Sequence, residues 1–352
     1  DSSTSRGLGD VYKRQSQYTT HNRLAQLSRC FSNVLLGFGL VACHSNTTTA
    51  TRDMPASVHT TQATRILTPD WGIAAELTAL GYPPIATGDL RMYEQWMGKP
   101  LPKQTIDLGI RYQPNPELIA QLNVDLVIDN FFYEHIRPMY GSVPTKSVLF
   151  KAKGDVATWQ DFATATIALG QILQDAGNPQ GNERVQTYLT QSQQVLQQQG
   201  QQFRHRYPNI KKLAIVQFAD AGHLRLYADN SLFKVTTDQL GVSLVNFHQG
   251  NKWGFSNIEL AELAKLENDS CLIVIKPFSH MLQAELDKSV LWQQLGFGHK
   301  RCMAIIDPVW SYGGGIASMR QFADHLSQTP LQGVAPPNLS SPPLSNTTKP
   351  KG

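Results

Sequence analysis

The sequence predicts an α/β protein of two lobes, each with a central sheet, joined by one long helix with a ligand cleft between the lobes. Three observations carry this expectation. Short apolar runs of strand length alternate with segments of helical spacing, the pattern of α/β layers. A long amphipathic stretch, residues 158–177, interrupts that alternation midway. Strand-length apolar runs then resume and continue to about residue 307.

In chain order, RILT (65–68), IATG (85–88), DLVID (125–129) and SVLF (147–150) read as strands. Between them, Ile73 to Leu80 follow Asp70 and Pro116 to Leu122 follow Asn115. Asp and Asn suit the N-cap because their side-chain oxygens satisfy free N–H groups of the first helical turn. In the stretch from Thr158, Phe162, Ile167, Leu169, Ile172 and Leu173 recur at helical spacing, and Gly177, Asn178 and Pro179 end it. A Gln-rich helix is expected from Asn182 to about His205. KLAIVQF (212–218), HLRLYAD (223–229), LVNF (244–247), CLIVIKPF (271–278) and CMAIID (302–307) supply the second set of strands. These limits place an N-terminal lobe at 61–157, the connecting helix at 158–177 and a C-terminal lobe at 178–330. A Pro-, Ser- and Asn-rich tail, expected to be disordered, follows at 331–352.

Charge excludes one class of partner. Of 31 Lys and Arg and 27 Asp and Glu, residues 1–42 hold five and two, leaving 26 against 25. So even a balance gives no electrostatic footprint for nucleic acid, which requires a basic face. The N-terminal region reads as processing sequence. Residues 1–15 resemble linker or adapter sequence and are set aside. Residues 16–42 read as a signal peptide: Arg23 and Arg29 precede a short apolar run, Cys30 to Ala42, below the roughly 20 residues a bilayer span needs. It ends Leu40-Val41-Ala42-Cys43, which resembles the bacterial lipobox and makes Cys43 the expected lipidation site. Residues 43–60 form a Thr- and Ser-rich tether. The protein is thus expected in the periplasm or cell envelope, lipid-anchored to a membrane. Cys271 and Cys302 each open an apolar run. They can pair if their strands are neighbours, or remain two buried thiols.

A set of ordered motifs speaks to function: DWGIAAELTALGYPP (70–84), EQWMGKPLP (94–102), IDLGIRYQPNPELIAQL (106–122), the NFFYE segment (130–134), NKWGFSNIELAEL (251–263) and DPVWSYGGGIASM (307–319). Together they resemble the ferric hydroxamate, ferrichrome-type, siderophore-binding proteins of ABC importers, from about 64 to 327. The resemblance implies a two-lobed receptor whose single long helix limits opening. By matched position it implies that Arg111 meets the hydroxamate oxygens, that Trp71, Trp96 and Tyr133 wall the first lobe, and that Trp253, Trp310 and Tyr312 wall the second. It also implies docking of a monomer on the permease and its ATPase subunit through surface glutamates. Glu117 matches in the first lobe; Glu259 and Glu262 are alternatives in the second. Two positions depart from the pattern and are expected to reshape the cleft: Asp129, where the family often has tryptophan, and Phe255, where it has a small hydroxyl residue.

The chemistry of those residue types agrees. A trihydroxamate fills the coordination sphere of Fe³⁺ with six hard oxygens, so the iron needs no protein ligand and no cofactor is called for. The complex is neutral, with an oxygen-rich face and apolar arms. An arginine fork offers several donors, and rigid aromatic walls supply area with few rotors to freeze. A triply negative catecholate complex would favour a cluster of cations, whereas the matched positions show one arginine among rings. The alternative within the same class is a corrinoid or haem receptor. Direct Zn²⁺ or Mn²⁺ capture needs His, Asp or Glu converging on the cleft, and none of the ten histidines falls on a matched position. G-x-S-x-G, HExxH and P-loop motifs are missing, and Gly313-Gly314-Gly315 lacks the Lys-Ser/Thr of a phosphate cradle and reads as a turn. No enzymatic activity is expected.

Overall fold

The structure, a computed structural model, describes residues 64–334. The segments expected to be adapter, signal peptide and tether, with Cys43, lie outside the described residues, as do residues 335–352. Within them, β1 (Ile66–Leu67), β2 (Ala86–Thr87), β3 (Ile106–Asp107), β4 (Leu126–Asp129) and β5 (Thr145–Ser147) form a wholly parallel sheet in the order β3-β2-β1-β4-β5. Helices Trp71–Ala79, Leu90–Met97 and Pro116–Gln121 make the crossovers, and a 3-10 segment, Phe131–Tyr140, leads from β4 to β5. Helices on the faces of a parallel sheet bury its central strands on both sides, which favours apolar side chains there. Leu126 to Ile128 are accordingly buried. Both expected caps form: Asp70 Oδ1 accepts from the Ile73 N–H at 2.9 Å, and Asn115 Oδ1 from the Glu117 and Leu118 N–H groups.

The link to the second sheet contains the amphipathic helix Trp159–Asp175, opened by a reciprocal Thr158–Asp161 capping box. The longer helix Gly181–Arg206 then packs back against it. The second sheet is mixed: β6 (Lys212–Phe218), β7 (His223–Tyr227), β8 (Ser243–Leu244), β9 (Phe255–Glu259), β10 (Ser270–Ile275) and β11 (Met303–Ile306). Its order is β11-β10-β6-β7-β9, with β8 beside the start of β6 and β7 antiparallel to both neighbours. β10 and β11 are adjacent, and Cys271 and Cys302 form a disulfide between them, which settles the pairing in favour of the bridge.

Two expectations need correction. The SVLF run pairs over Thr145–Ser147 and not at 147–150, because Val148 and Phe150 turn into the core beyond the sheet. The tail begins later than 331: Leu331 is buried, its N–H donates to the Tyr207 hydroxyl, and Gln332 bridges to Met303. An apolar side chain with a place in the core and a backbone with a strand partner hold this stretch in the body.

The lobes meet where helix Trp71–Ala79 faces helix Ile316–Gln328. Glu76 is buried there and accepts from the Thr166 hydroxyl at 3.1 Å and the Ala317 N–H at 2.8 Å. Glycine is required at 72 because a Cβ there would overlap the Gly313 carbonyl of the opposite lobe. The triple-glycine run is thus a point of close backbone approach between the lobes.

Candidate functional site

Loops at the carboxyl ends of parallel strands collect ligand-facing groups, because the strands deliver successive side chains to one edge. Asp70 and Trp71 follow β1, Asp89 follows β2, Arg111 and Tyr112 follow β3, and Asn130 to Tyr133 follow β4. Trp310 and Tyr312 follow β11 in the second sheet, and Trp253 precedes β9.

Arg111 is the centre of the first-lobe wall. Its guanidinium carbon lies 3.9 Å from the Trp71 ring centroid, 5.0 Å from Tyr112 and 5.5 Å from Trp310. A cation over an indole face is held by the ring quadrupole. Asp89 fixes the same residue, accepting from the Arg111 N–H at 3.2 Å and lying 3.7 Å from Nε. Gly88 makes room for this strand-end turn, since a Cβ there would run into the Arg111 backbone, and its carbonyl accepts from Trp71 Nε1 at 3.0 Å. Arg111 is 9% exposed, so its charge is largely withdrawn from water. Asp70 sits nearby, buried and hydrogen-bonded by Asn130 Nδ2 at 2.8 Å. Burial raises its carboxyl above the usual range, against the lowering influence of the Ile73 N–H, Asn130 and Arg111.

The aromatic residues expected in the wall take different places. Trp71 and Trp310 pack at 5.1 Å from opposite lobes, and Trp310 meets Tyr312 edge-on at 5.6 Å. Trp310 Nε1 is buried with no hydrogen-bond partner among the described residues. Trp96 packs beside Trp71 on the cluster of Tyr93, Met97 and Leu101. Tyr133 is only 2% exposed and stacks beneath Tyr112 at 5.3 Å, so it supports the wall from behind; burial pushes its phenol far up. The ring of that segment that reaches the other lobe is Phe132, stacked on Trp253 at 5.2 Å and 21°. Its neighbour Phe131 is 53% exposed.

Sequence reading missed Phe131, Phe132 and Tyr112, although all lie inside the motifs it used. It also missed Arg225. This residue sits on β7 opposite Gln217 of β6, donates to the Tyr312 hydroxyl at 2.9 Å and to Gln217 Oε1 at 3.3 Å, and lies 5.3 Å from the Phe255 ring. Alternation along HLRLY sets Arg225 on the same face as Tyr227, which was the available signal. The second lobe thus sets an arginine behind Tyr312, where the sequence reading had only Arg111.

The two departures behave differently. Phe255 packs edge-on against Tyr312 at 5.9 Å and takes part in the wall. Asp129 does not reshape the cleft by a bare charge: it is fully buried and paired with Arg137 (Nε to Oδ2 2.9 Å, Nη2 to Oδ1 2.8 Å), with Ser147 Oγ donating at 3.1 Å. A buried carboxylate needs such a bidentate partner to offset its lost hydration.

Beside the Phe132–Trp253 stack opens a pocket of about 150 Å³, walled by Phe150, Phe162 and Tyr312 as well as that pair. Arg111 is not among its lining residues. Of the glutamates, Glu117 is exposed at the start of its helix and Glu259 is exposed at the end of β9. Glu262 is engaged by Lys265 and His248, each at 2.7 Å, and these two bonds hold its carboxyl down at about 2. Among the described residues there is no cluster of three or more His, Cys, Asp or Glu arranged to hold a metal ion, and no helix is long and apolar enough to cross a membrane.

The iron(3+)-hydroxamate-binding protein FhuD of Escherichia coli K12 is 25% identical over 259 residues, 72% of this chain and 83% of its own length. The chain is FhuD-like in sequence and in fold. The crystal structure of the siderophore-binding protein FhuD from Vibrio cholerae, bound to Fe³⁺-Desferal, superposes with a TM-score of 0.66 at 23% identity, covering 76% of this chain and 97% of that one. A periplasmic haem-binding protein from Pseudomonas aeruginosa superposes with a TM-score of 0.54 at 15% identity, covering 75% and 91%. No protein-family description matches the chain. The FhuD-like body spans two α/β lobes, each with its own sheet, as the strand and helix alternation predicts.

Proposed function

We propose that this protein is the substrate-binding component of an ABC importer, capturing a ferric hydroxamate siderophore in the cleft and delivering it to a membrane permease. The observation that carries this reading is the Arg111 guanidinium held face-on to Trp71 between Tyr112 and Trp310. It presents a forked donor in a dry aromatic setting, which suits the oxygen face of a complex whose iron is already saturated. The similarity to FhuD supports the same cargo. The protein acts as a carrier, with no catalytic step. In this reading Cys43 carries the lipid anchor, and Glu117 and Glu259 meet the permease. Glu259 is preferred over Glu262, whose carboxylate is already occupied.

The test is a titration of the folded protein with Fe³⁺-Desferal, a ferric catecholate, cobalamin and haem, followed by tryptophan fluorescence. Trp71, Trp96, Trp253 and Trp310 line or adjoin the cleft, so its occupation quenches them, while Trp292 packs in a separate core cluster of the second lobe. Saturable quenching by the hydroxamate at micromolar concentration or below is expected. Tight binding of haem or cobalamin with none of the hydroxamate would transfer the assignment to the other ligand.

A further inference from the structure

The pocket beside the Phe132–Trp253 stack has walls unlike those around Arg111. Its apolar surface comes from Phe131, Phe132, Phe150, Phe162, Trp253 and Tyr312. The charged side chains lining it are Lys151 and Lys252, and no carboxylate lines it. Lys252 Nζ lies 5.3 Å from the Trp253 ring centroid, and among the described residues neither it nor Lys151 forms an ion pair. Arg225 stands behind Tyr312, donates to its hydroxyl and likewise lacks a carboxylate partner among the described residues. Cations without a carboxylate partner at the margin of an apolar pocket call for an anion.

We propose that this pocket is a second compartment of the binding site, which takes an apolar arm of the siderophore ending in a carboxylate. The iron centre stays at Arg111. The inference rests on the cargo proposed above and narrows it from neutral ferric hydroxamates to acid-terminated ones. Aromatic faces cover the methylenes of the arm, and Lys151 and Lys252 meet its terminal charge.

Three ligands with one iron centre separate the possibilities: Fe³⁺-Desferal, which ends in an ammonium group, its N-acetyl derivative, which ends neutral, and its N-succinyl derivative, which ends in a carboxylate. Affinities measured by fluorescence titration are expected to rise in that order, with the succinyl form at least about 10-fold tighter than the ammonium form, and the spread is expected to shrink in high salt. The double substitution Lys151→Gln, Lys252→Gln is expected to bring the three within about twofold while leaving the acetyl form unchanged, which also shows that the variant is folded. Equal affinities in the unaltered protein would overturn the arm pocket and leave the hydroxamate assignment standing. No binding of any of the three would overturn both.

Discussion

Glu76 of the first lobe accepts a 2.8 Å hydrogen bond from the backbone N–H of Ala317 in the second, across 241 positions of sequence. Its carboxyl also takes the Thr166 hydroxyl, from the helix that links the sheets. One buried acid thus ties three elements at the base of the cleft. Burial raises it to about 7, against the lowering effects of Ala317, Thr166, Arg320 and Tyr188.

That shift sets a pH dependence. The folded value lies above the unfolded one, so the contribution to stability is fully present below about pH 4.5 and is lost as pH rises through about 7. The difference is worth up to about 3 kcal/mol. Glu76→Gln, which stays uncharged, is expected to melt higher than the unaltered protein at pH 8 and close to it at pH 5. Thermal melts across that range check this, and parallel curves for the two proteins would rule out Glu76 as the titrating group.

Arg111→Ala removes the forked donor from the aromatic wall. A charge-assisted hydrogen bond is worth about 1.5–3 kcal/mol, so affinity for Fe³⁺-Desferal is expected to fall by roughly 10- to 150-fold. Arg111→Lys keeps the charge without the planar fork and is expected to fall between the two. Unchanged affinity in both variants, measured by titration, would remove Arg111 from the site.

Glu117→Arg and Glu259→Arg reverse charges on exposed positions outside the cleft. Each is expected to abolish siderophore-dependent growth in iron-poor medium while leaving affinity in solution within about twofold. Glu262→Gln is expected to leave uptake intact and to cost only modest stability, because partly exposed ion pairs contribute little. Growth arrest by Glu262→Gln with normal uptake by Glu259→Arg would reverse the assignment.

The Cys271–Cys302 bridge closes a segment of 31 residues within the second sheet. On the chain-entropy account such a loop contributes about 3–4 kcal/mol. Replacing both cysteines by alanine is expected to lower the urea midpoint by a corresponding amount without altering ligand affinity. An unshifted midpoint would show that the bridge adds nothing to stability.

Some of this was legible in the sequence because it is a local property. Apolar runs bounded by turn residues marked most strands, and Asp70 and Asn115 marked helix starts, since capping depends on side chains within three residues. Ordered motifs singled out Arg111, Trp71, Trp253, Trp310 and Tyr312, and the structure brings these to the facing edges of the two sheets. Short helices such as His280–Lys288 and Val290–Leu295 went unread, because two turns carry too little periodicity to register.

What the tertiary structure alone decided concerns residues whose meaning depends on a distant partner. Asp129 is expected from sequence to reshape the cleft, but its buried carboxylate is paired with Arg137 and accepts from Ser147. Tyr133 reads as a wall residue, but Tyr112 covers it while Phe132 reaches Trp253. Arg225 lay outside every motif, and Glu76 lay inside one without a sign of its role. Arg225 meets Tyr312 87 positions away and Glu76 meets Ala317 241 positions away, and no pattern within one segment records such a meeting. The sequence by itself determined the two α/β halves and the aromatic and arginine character of the site, because both follow from local periodicity and residue type. Which rings face the cleft, which charges are already paired and where the lobes are tied together depend on how the two sheets are brought edge to edge, so only the folded structure decides them.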